Sequence, residues 1–155
     1  MKKLLITLLF LGLVSTQTFA AQEETPVDAA SQSAKALYAQ NEIDDALKIL
    51  KSKGEETRTA EDWLLIGNIL QDKDRLDEAI YMFKKAIDKD PKYYKAHYNL
   101  GYIYLIQEKP NMALAEFKKA VKYKPDFAYG YYNMGCAYLK LKQYGSAKYN
   151  FFRAI

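Results

Sequence analysis

The sequence has very few of the residues on which covalent and metal chemistry usually depend. Its 155 residues include one cysteine, one histidine and one tryptophan. A single cysteine excludes a disulfide scaffold and a zinc site built from four thiolates. Four prolines and seven glycines exclude collagen-like and Pro/Gly-rich low-complexity chains. Half of the residues are apolar and 27% are charged, which is typical of a chain that folds.

Long hydrophobic runs are also lacking. The main apolar run, residues 4–14, is shorter than the roughly 20 residues that a membrane-spanning helix needs. It follows Lys2 and Lys3 and precedes small residues that end at Ala20, the pattern of a bacterial signal peptide. We expect residues 1–20 to be cleaved after Ala20, leaving a periplasmic or secreted chain with no membrane span; a retained anchor is the alternative. Residues 21–26 predict a flexible tether.

What the sequence does have is a period of 34 residues. Five columns repeat with this spacing: an aromatic or histidine at 63, 97 and 131; glycine at 67, 101 and 135; alanine at 79, 113 and 147; phenylalanine at 83, 117 and 151; alanine at 86, 120 and 154. Apolar residues within each copy fall at i, i+3, i+4 and i+7, which predicts two amphipathic helices. Pro91 and Pro125 end the second helices, and Pro110 fits the start of one.

This pattern resembles the tetratricopeptide repeat, which has Trp, Leu, Gly and Tyr on its first helix and Ala, Phe, Ala and Pro on and after its second. Residues 96–104 are especially similar, and His97 is their main departure. The resemblance implies an all-α, right-handed solenoid of three to four helical hairpins. We expect repeats at 60–93 and 94–127, an incomplete repeat at 128–155, and a degenerate hairpin at 27–59 that acts as an N-terminal cap.

Motifs for catalysis are absent from the sequence. It has no Gly-rich phosphate loop, no His-Glu-x-x-His helix and no Gly-x-Ser-x-Gly turn. His97 occupies a core column, and the acidic pairs Asp44–Asp45 and Asp77–Glu78 begin second helices, where negative charge favours the helix dipole. We therefore expect no enzyme activity, no catalytic residue, no cofactor and no metal. The lone Cys136 is either a reactive thiol or a small residue in a tight column.

Charge and tyrosine are unevenly distributed. Residues 21–93 hold 16 acidic and 11 basic side chains, whereas residues 94–155 hold 3 acidic and 10 basic ones and 11 of the 14 tyrosines. The resemblance places several of these side chains on the concave face. Tyrosine offers a large contact area at low entropic cost, and asparagine can pair with a peptide backbone. The predicted partner-binding residues are Lys95, Tyr98, Asn99, Tyr102, Tyr129, Tyr132 and Asn133.

The function that these features favour is a non-catalytic protein–protein interaction scaffold of the periplasm, binding a peptide or protein partner during assembly of an envelope complex. The family's carboxylate clamp is matched only at Asn68 and Asn99, since Leu64, Tyr129 and Asn133 replace its basic residues. The modest charge of an exported chain disfavours nucleic acid. Two alternatives stay open: a self-assembling structural module, with homo-oligomers formed through an uncapped C-terminal end, and the N-terminal fragment of a longer repeat protein.

Overall fold

The computed structural model describes residues 26–155, so the predicted signal peptide and nearly all of the predicted tether lie outside the described residues. This part of the chain is helical throughout, with a short 3₁₀ turn at Glu55–Thr57 and no strand. Its eight helices are α1 (Pro26–Ala39), α2 (Ile43–Ser52), α3 (Ala60–Asp72), α4 (Leu76–Lys89), α5 (Tyr94–Ile106), α6 (Pro110–Tyr123), α7 (Ala128–Lys140) and α8 (Tyr144–Arg153). The all-α prediction is confirmed.

Consecutive helices pack as four hairpins: α1 with α2, α3 with α4, α5 with α6, and α7 with α8. Each hairpin then contacts the next, because α2 contacts α3, α4 packs on α5 and α6 packs on α7. The result is a stack of hairpins in which every core is shared with a neighbour, as in a helical solenoid. Within residues 26–155, no helix combines the length and the apolar character that a membrane span requires.

The same turn closes all four hairpins. One residue in each turn has a left-handed backbone, with φ between 57° and 64°: Asn41, Asp74, Glu108 and Lys142. The N–H that follows it bonds to the carbonyl five residues back, as from Arg75 to Leu70 at 2.9 Å. This bond satisfies a carbonyl at the end of the first helix. The hairpin at α1 and α2 has this turn too, although its sequence lacks the repeat's glycine and proline.

Glycine and phenylalanine of the repeat meet where the two helices of a hairpin cross. A Cβ on Gly67 would lie 2.4 Å from the ring of Phe83, and one on Gly101 would lie 2.8 Å from the ring of Phe117. Both phenylalanines are fully buried, so the rings have no space into which to move. The 34-residue glycine column therefore exists because an adjacent ring occupies the Cβ position.

A basic column, also spaced by 34 residues, accompanies the column of aromatic and histidine residues. Lys85 lies 5.9 Å from the ring of Trp63, and Arg153 lies 4.5 Å from the ring of Tyr131 while donating a 2.8 Å hydrogen bond to its hydroxyl. Lys119, the middle member, bonds to Glu116 at 2.8 Å. In the second and fourth hairpins the cation contacts the aromatic ring itself, and in the third it contacts Glu116, the carboxylate that pairs with His97.

His97 is the buried histidine that the sequence predicted, with only 3% of its surface exposed. Its Nδ1 lies 2.7 Å from the Glu116 carboxylate and its Nε2 lies 3.0 Å from the Pro91 carbonyl. Both partners are hydrogen-bond acceptors, so a proton on either ring nitrogen has an acceptor within hydrogen-bonding distance. Burial raises the pKa of Glu116, but the hydrogen bonds from His97 and Lys119 outweigh it and hold that pKa below its usual range.

We expect Glu116→Gln to lower the free energy of unfolding at pH 7 by about 1.5–3 kcal/mol, because it removes charge-assisted hydrogen bonds from a largely buried carboxylate. The pKa of Glu116 is lower in the folded protein than in the unfolded chain, where it is near 4.5. The stability that the carboxylate contributes is therefore complete above pH 4.5 and is lost as the pH falls through the pKa of the folded protein. Urea unfolding followed by circular dichroism at pH 7, 5, 4 and 3 measures both effects.

The matched control is Glu108→Gln, since Glu108 pairs with Lys140 but its side chain is 80% exposed. This change is expected to cost less than about 1 kcal/mol at every pH. An equal pH dependence in wild type and Glu116→Gln would contradict a stabilising role for the buried carboxylate.

Candidate functional site

An open groove of about 560 Å³ runs between α5 and α7, the first helices of the third and fourth hairpins. It brings together five of the seven residues that the sequence predicted as partner-binding, and it adds two alanines that the sequence did not predict as partner-binding. The lining consists of Tyr98, Tyr102, Ala128, Tyr129, Tyr132, Asn133 and Ala154. The lining thus consists mostly of tyrosine, with one asparagine and two alanines.

Some of the tyrosine rings in the groove pack on neighbouring rings, and three of the four are exposed to solvent. Tyr98 stacks on Tyr102 at 6.5 Å and meets Phe127 edge to face at 5.0 Å. Tyr102, Tyr129 and Tyr132 keep 38%, 69% and 54% of their surface exposed. Tyr98 is half-buried, and its burial raises the pKa of its hydroxyl against an opposing hydrogen bond from Asn133. Tyr98 therefore forms the floor, and the other three offer free contact area.

The two predicted asparagines serve the protein's own framework. Asn133 lies on α7 and only 7% of its surface is exposed. Its amide donates a 2.8 Å hydrogen bond to the Tyr98 hydroxyl on α5. Asn99 donates a 2.7 Å bond to the Asn68 side chain on α3. Each amide N–H joins two neighbouring first helices. One hydrogen bond from each amide is thus used to fix the spacing of the helices that carry the tyrosines.

Lys95 and Asn99 lie in a second depression of about 400 Å³, which shares Tyr98 with the first. Its lining includes an ion pair between Lys35 and Glu61, whose charged atoms are 2.6 Å apart. The sequence did not predict Lys35, Tyr38, Leu65 and Tyr94 in this lining, and it indicated Leu64 and Asn68 only as positions of the family's carboxylate clamp. For Leu64 the signal was available, because it stands in the same 34-residue column as Tyr98 and Tyr132.

The part of the chain that carries the tyrosine groove, residues 94–155, has more basic than acidic side chains. All three acidic residues of 94–155 are paired: Glu108 with Lys140, Glu116 with His97 and Lys119, and Asp126 with Lys124. Residues 128–155 contain no acid and four bases: Lys140, Lys142, Lys148 and Arg153. This part of the chain therefore has a net positive charge, although none of its basic residues is among those that line the groove.

Cys136 sits half-buried next to the groove as a free thiol. Burial raises its pKa, and hydrogen bonds with Tyr132 and its own backbone oppose that shift without reversing it. The thiol form is therefore favoured at neutral pH, which disfavours a nucleophilic role. Across residues 26–155, no three His, Cys, Asp or Glu side chains are grouped in a way that would hold a metal ion.

We compared the chain with a library of family models and with solved structures, and both comparisons found tetratricopeptide repeats. The family model of the TPR repeat matches residues 67–108 and 101–142. A crystal structure of MamA is similar over 85% of this chain and 78% of that chain, with a TM-score of 0.75 and 24% identity. The second TPR of Spaghetti (RPAP3), solved with the HSP90 peptide SRMEEVD, is similar over 63% of this chain and 90% of that chain, with a TM-score of 0.61 and 20% identity. No curated protein matches the sequence.

The hairpin stack, its closing turns and its glycine–phenylalanine contacts define a helical-repeat solenoid with a concave groove. The repeat is the 34-residue one that the family model describes. The chain is a tetratricopeptide repeat protein.

Proposed function

We propose that this chain is a non-catalytic interaction scaffold of the bacterial periplasm that binds a peptide or protein partner in its concave groove, in the assembly of an envelope complex. The observation that carries the proposal is the cluster of three solvent-exposed tyrosines over the Tyr98 floor. Exposed aromatic clusters of this size are unusual on a surface that has no partner. The periplasmic location rests on the export pattern of residues 1–20.

The physical basis of binding is contact area that is already ordered. Tyrosine loses little side-chain entropy on binding and supplies both an apolar ring and a hydroxyl. The hydrogen bond from Asn133 and the stacking of Tyr98 on Tyr102 hold the groove in place before a ligand arrives. Ordering in advance reduces the entropic cost of association. The similarity to a repeat domain solved with a bound peptide supports the same use of the fold.

The test compares two double variants in a pulldown from a bacterial envelope extract. Tyr102→Ala/Tyr129→Ala removes two exposed rings of the groove. Truncation of an interface tyrosine often costs about 1–2 kcal/mol of binding free energy, so the double variant is expected to reduce recovery of partners at least tenfold. Tyr98 is left intact, because its ring packs on Phe117 and Phe127 and its loss would disturb the fold.

The matched control is Tyr81→Ala/Tyr144→Ala, which removes two tyrosines of similar exposure, 55% and 66%, from second helices outside the groove. It is expected to recover partners as the wild type does. Equal recovery by both double variants would exclude the groove as the binding surface.

A further inference from the structure

A depression of about 490 Å³ lies between α7 and α8, and it shares no lining residue with the tyrosine groove. Tyr131, Tyr149 and Arg153 are part of its lining. The Arg153 guanidinium donates to the Tyr131 hydroxyl at 2.8 Å and to the Tyr149 hydroxyl at 3.3 Å. Each hydroxyl accepts in these bonds and keeps its own proton for another acceptor. The depression therefore offers a positive charge and several hydrogen-bond donors.

The third hairpin contains the equivalent cluster, and there it holds a carboxylate. The Glu116 side chain lies with one oxygen 2.7 Å from Nδ1 of His97 and the other 2.8 Å from Nζ of Lys119. Tyr131 and Arg153 stand 34 residues after His97 and Lys119. The fourth hairpin therefore repeats the cation and the ring that surround the carboxylate in the third.

The acid of this cluster is replaced in the fourth hairpin. Asn150 stands 34 residues after Glu116, is buried, and donates from its amide to the Ser146 carbonyl at 2.9 Å. Among residues 26–155, no carboxylate forms an ion pair with Arg153. The missing acid is thus a difference within the repeat, at a position that the structure describes.

The exposure of the cluster follows from its place in the repeat. Tyr81 stands two repeats before Tyr149 and is 55% exposed, although two further hairpins follow it, and Tyr149 is 59% exposed. Lys119, one repeat before Arg153, is exposed as well with a hairpin after it. A following hairpin therefore leaves these positions open to solvent.

We propose that Arg153, Tyr131 and Tyr149 bind the carboxylate of an aspartate or glutamate side chain on a partner protein. The preference for a carboxylate follows from the third hairpin, where equivalent side chains hold Glu116. The guanidinium also has N–H donors beyond the two that the tyrosines accept, and its planar fork matches the two oxygens of a carboxylate. The inference goes beyond the proposed function, because binding in the groove requires none of these residues.

Two blocked peptides test the site: acetyl-Ala-Glu-Ala-amide and acetyl-Ala-Gln-Ala-amide. NMR titration of the ¹⁵N-labelled chain follows the Nε–H signal of Arg153 and the backbone signal of Tyr149. The Glu peptide is expected to shift both signals saturably and to bind at least about tenfold more tightly than the Gln peptide, because only the carboxylate accepts charge-assisted hydrogen bonds on both oxygens.

Three variants locate the binding. Arg153→Gln is expected to weaken binding of the Glu peptide at least about tenfold, measured on the Tyr149 signal. Asn150→Glu restores the acid of the third hairpin, and its own carboxylate is expected to occupy the site and abolish the shift. The matched control, Lys148→Gln, removes an exposed charge of the same helix outside the depression and is expected to bind as the wild type does. Circular dichroism shows whether each variant is folded.

Several results would overturn the site. These are equal affinity for the Glu and Gln peptides, equal losses in Lys148→Gln and Arg153→Gln, and tighter binding of inorganic phosphate than of the Glu peptide. Self-association in sedimentation velocity that Arg153→Gln abolishes would place a carboxylate of a second copy in the site and overturn the assignment to another protein. Each of these results leaves the proposed groove function standing, because its test depends on Tyr102 and Tyr129.

Discussion

Lys53→Met is expected to lower the free energy of unfolding by about 3–5 kcal/mol, which is a large part of the stability of a small domain. Lys53 follows α2 and Asp62 lies in the first turn of α3, and their side chains form an ion pair with only 5% and 2% of their surfaces exposed. Burial raises the pKa of Asp62, but the hydrogen bonds from Lys53, Thr59 and Ser31 outweigh it and keep the pKa lowered. Without the ammonium, a buried carboxylate is left without its counterion.

Chemical denaturation of three variants checks this expectation. Lys73→Met breaks the pair with Asp44, whose side chain is 89% exposed, and is expected to cost less than about 1 kcal/mol. Lys53→Met/Asp62→Asn removes the buried charge while an amide oxygen still accepts from the Thr59 N–H, and it is expected to regain most of the loss. A double variant no more stable than Lys53→Met would show that the charge is not the cause.

The Lys53–Asp62 pair illustrates what the sequence alone does not reveal. Asp62 fits its local role, since it forms a reciprocal capping box with Thr59 at the start of α3. Lys53 looks like an ordinary basic residue after a helix. Their contact depends on how the 3₁₀ turn at Glu55–Thr57 sets α3 against α2, and this hairpin junction lies outside the regular 34-residue columns.

The periodic part of the fold, by contrast, follows from the sequence. Gly67, Gly101 and the phenylalanines of the same hairpins fall in columns because each pair is a single contact repeated. Pro110 begins α6, as its missing N–H predicts. These contacts and helix starts depend only on residues of one hairpin. The pattern of amino acids in that hairpin is therefore enough to predict them.

The groove could be predicted from the sequence only in part. Columns of first-helix tyrosines indicated which side chains share a face, and five of the seven predicted residues do line one groove. The burial of Asn133 was not predictable from its column, because it depends on how close α7 approaches α5 and on the Tyr98 hydroxyl between them. The sequence did not place Ala128 or the column residue Ala154 in the groove, since a small residue is recognised as part of a lining only when the neighbouring side chains are known.

Phe117→Ala is expected to lower the free energy of unfolding by about 3–5 kcal/mol, because it leaves a cavity where a fully buried ring packs between α5 and α6. The loss extends beyond one hairpin, since Phe117 also contacts Tyr98 on the groove floor. Urea unfolding measures the effect. The control, Phe152→Ala, removes a ring that is 77% exposed and is expected to change stability by less than about 0.5 kcal/mol.

Phe117 also contacts Gly101, so a double-mutant cycle of the two residues tests whether the ring is the reason for the glycine. Gly101→Ala alone is expected to cost about 1–3 kcal/mol, because its Cβ would lie 2.8 Å from the Phe117 ring in a site with no spare volume. In the Phe117→Ala background the ring is gone and only the Ala113 carbonyl, 3.1 Å from the added Cβ, remains close, so the same change is expected to cost much less than in the wild type. The coupling energy then equals most of the Gly101→Ala cost. Additive losses would show that the glycine column is not set by the adjacent ring.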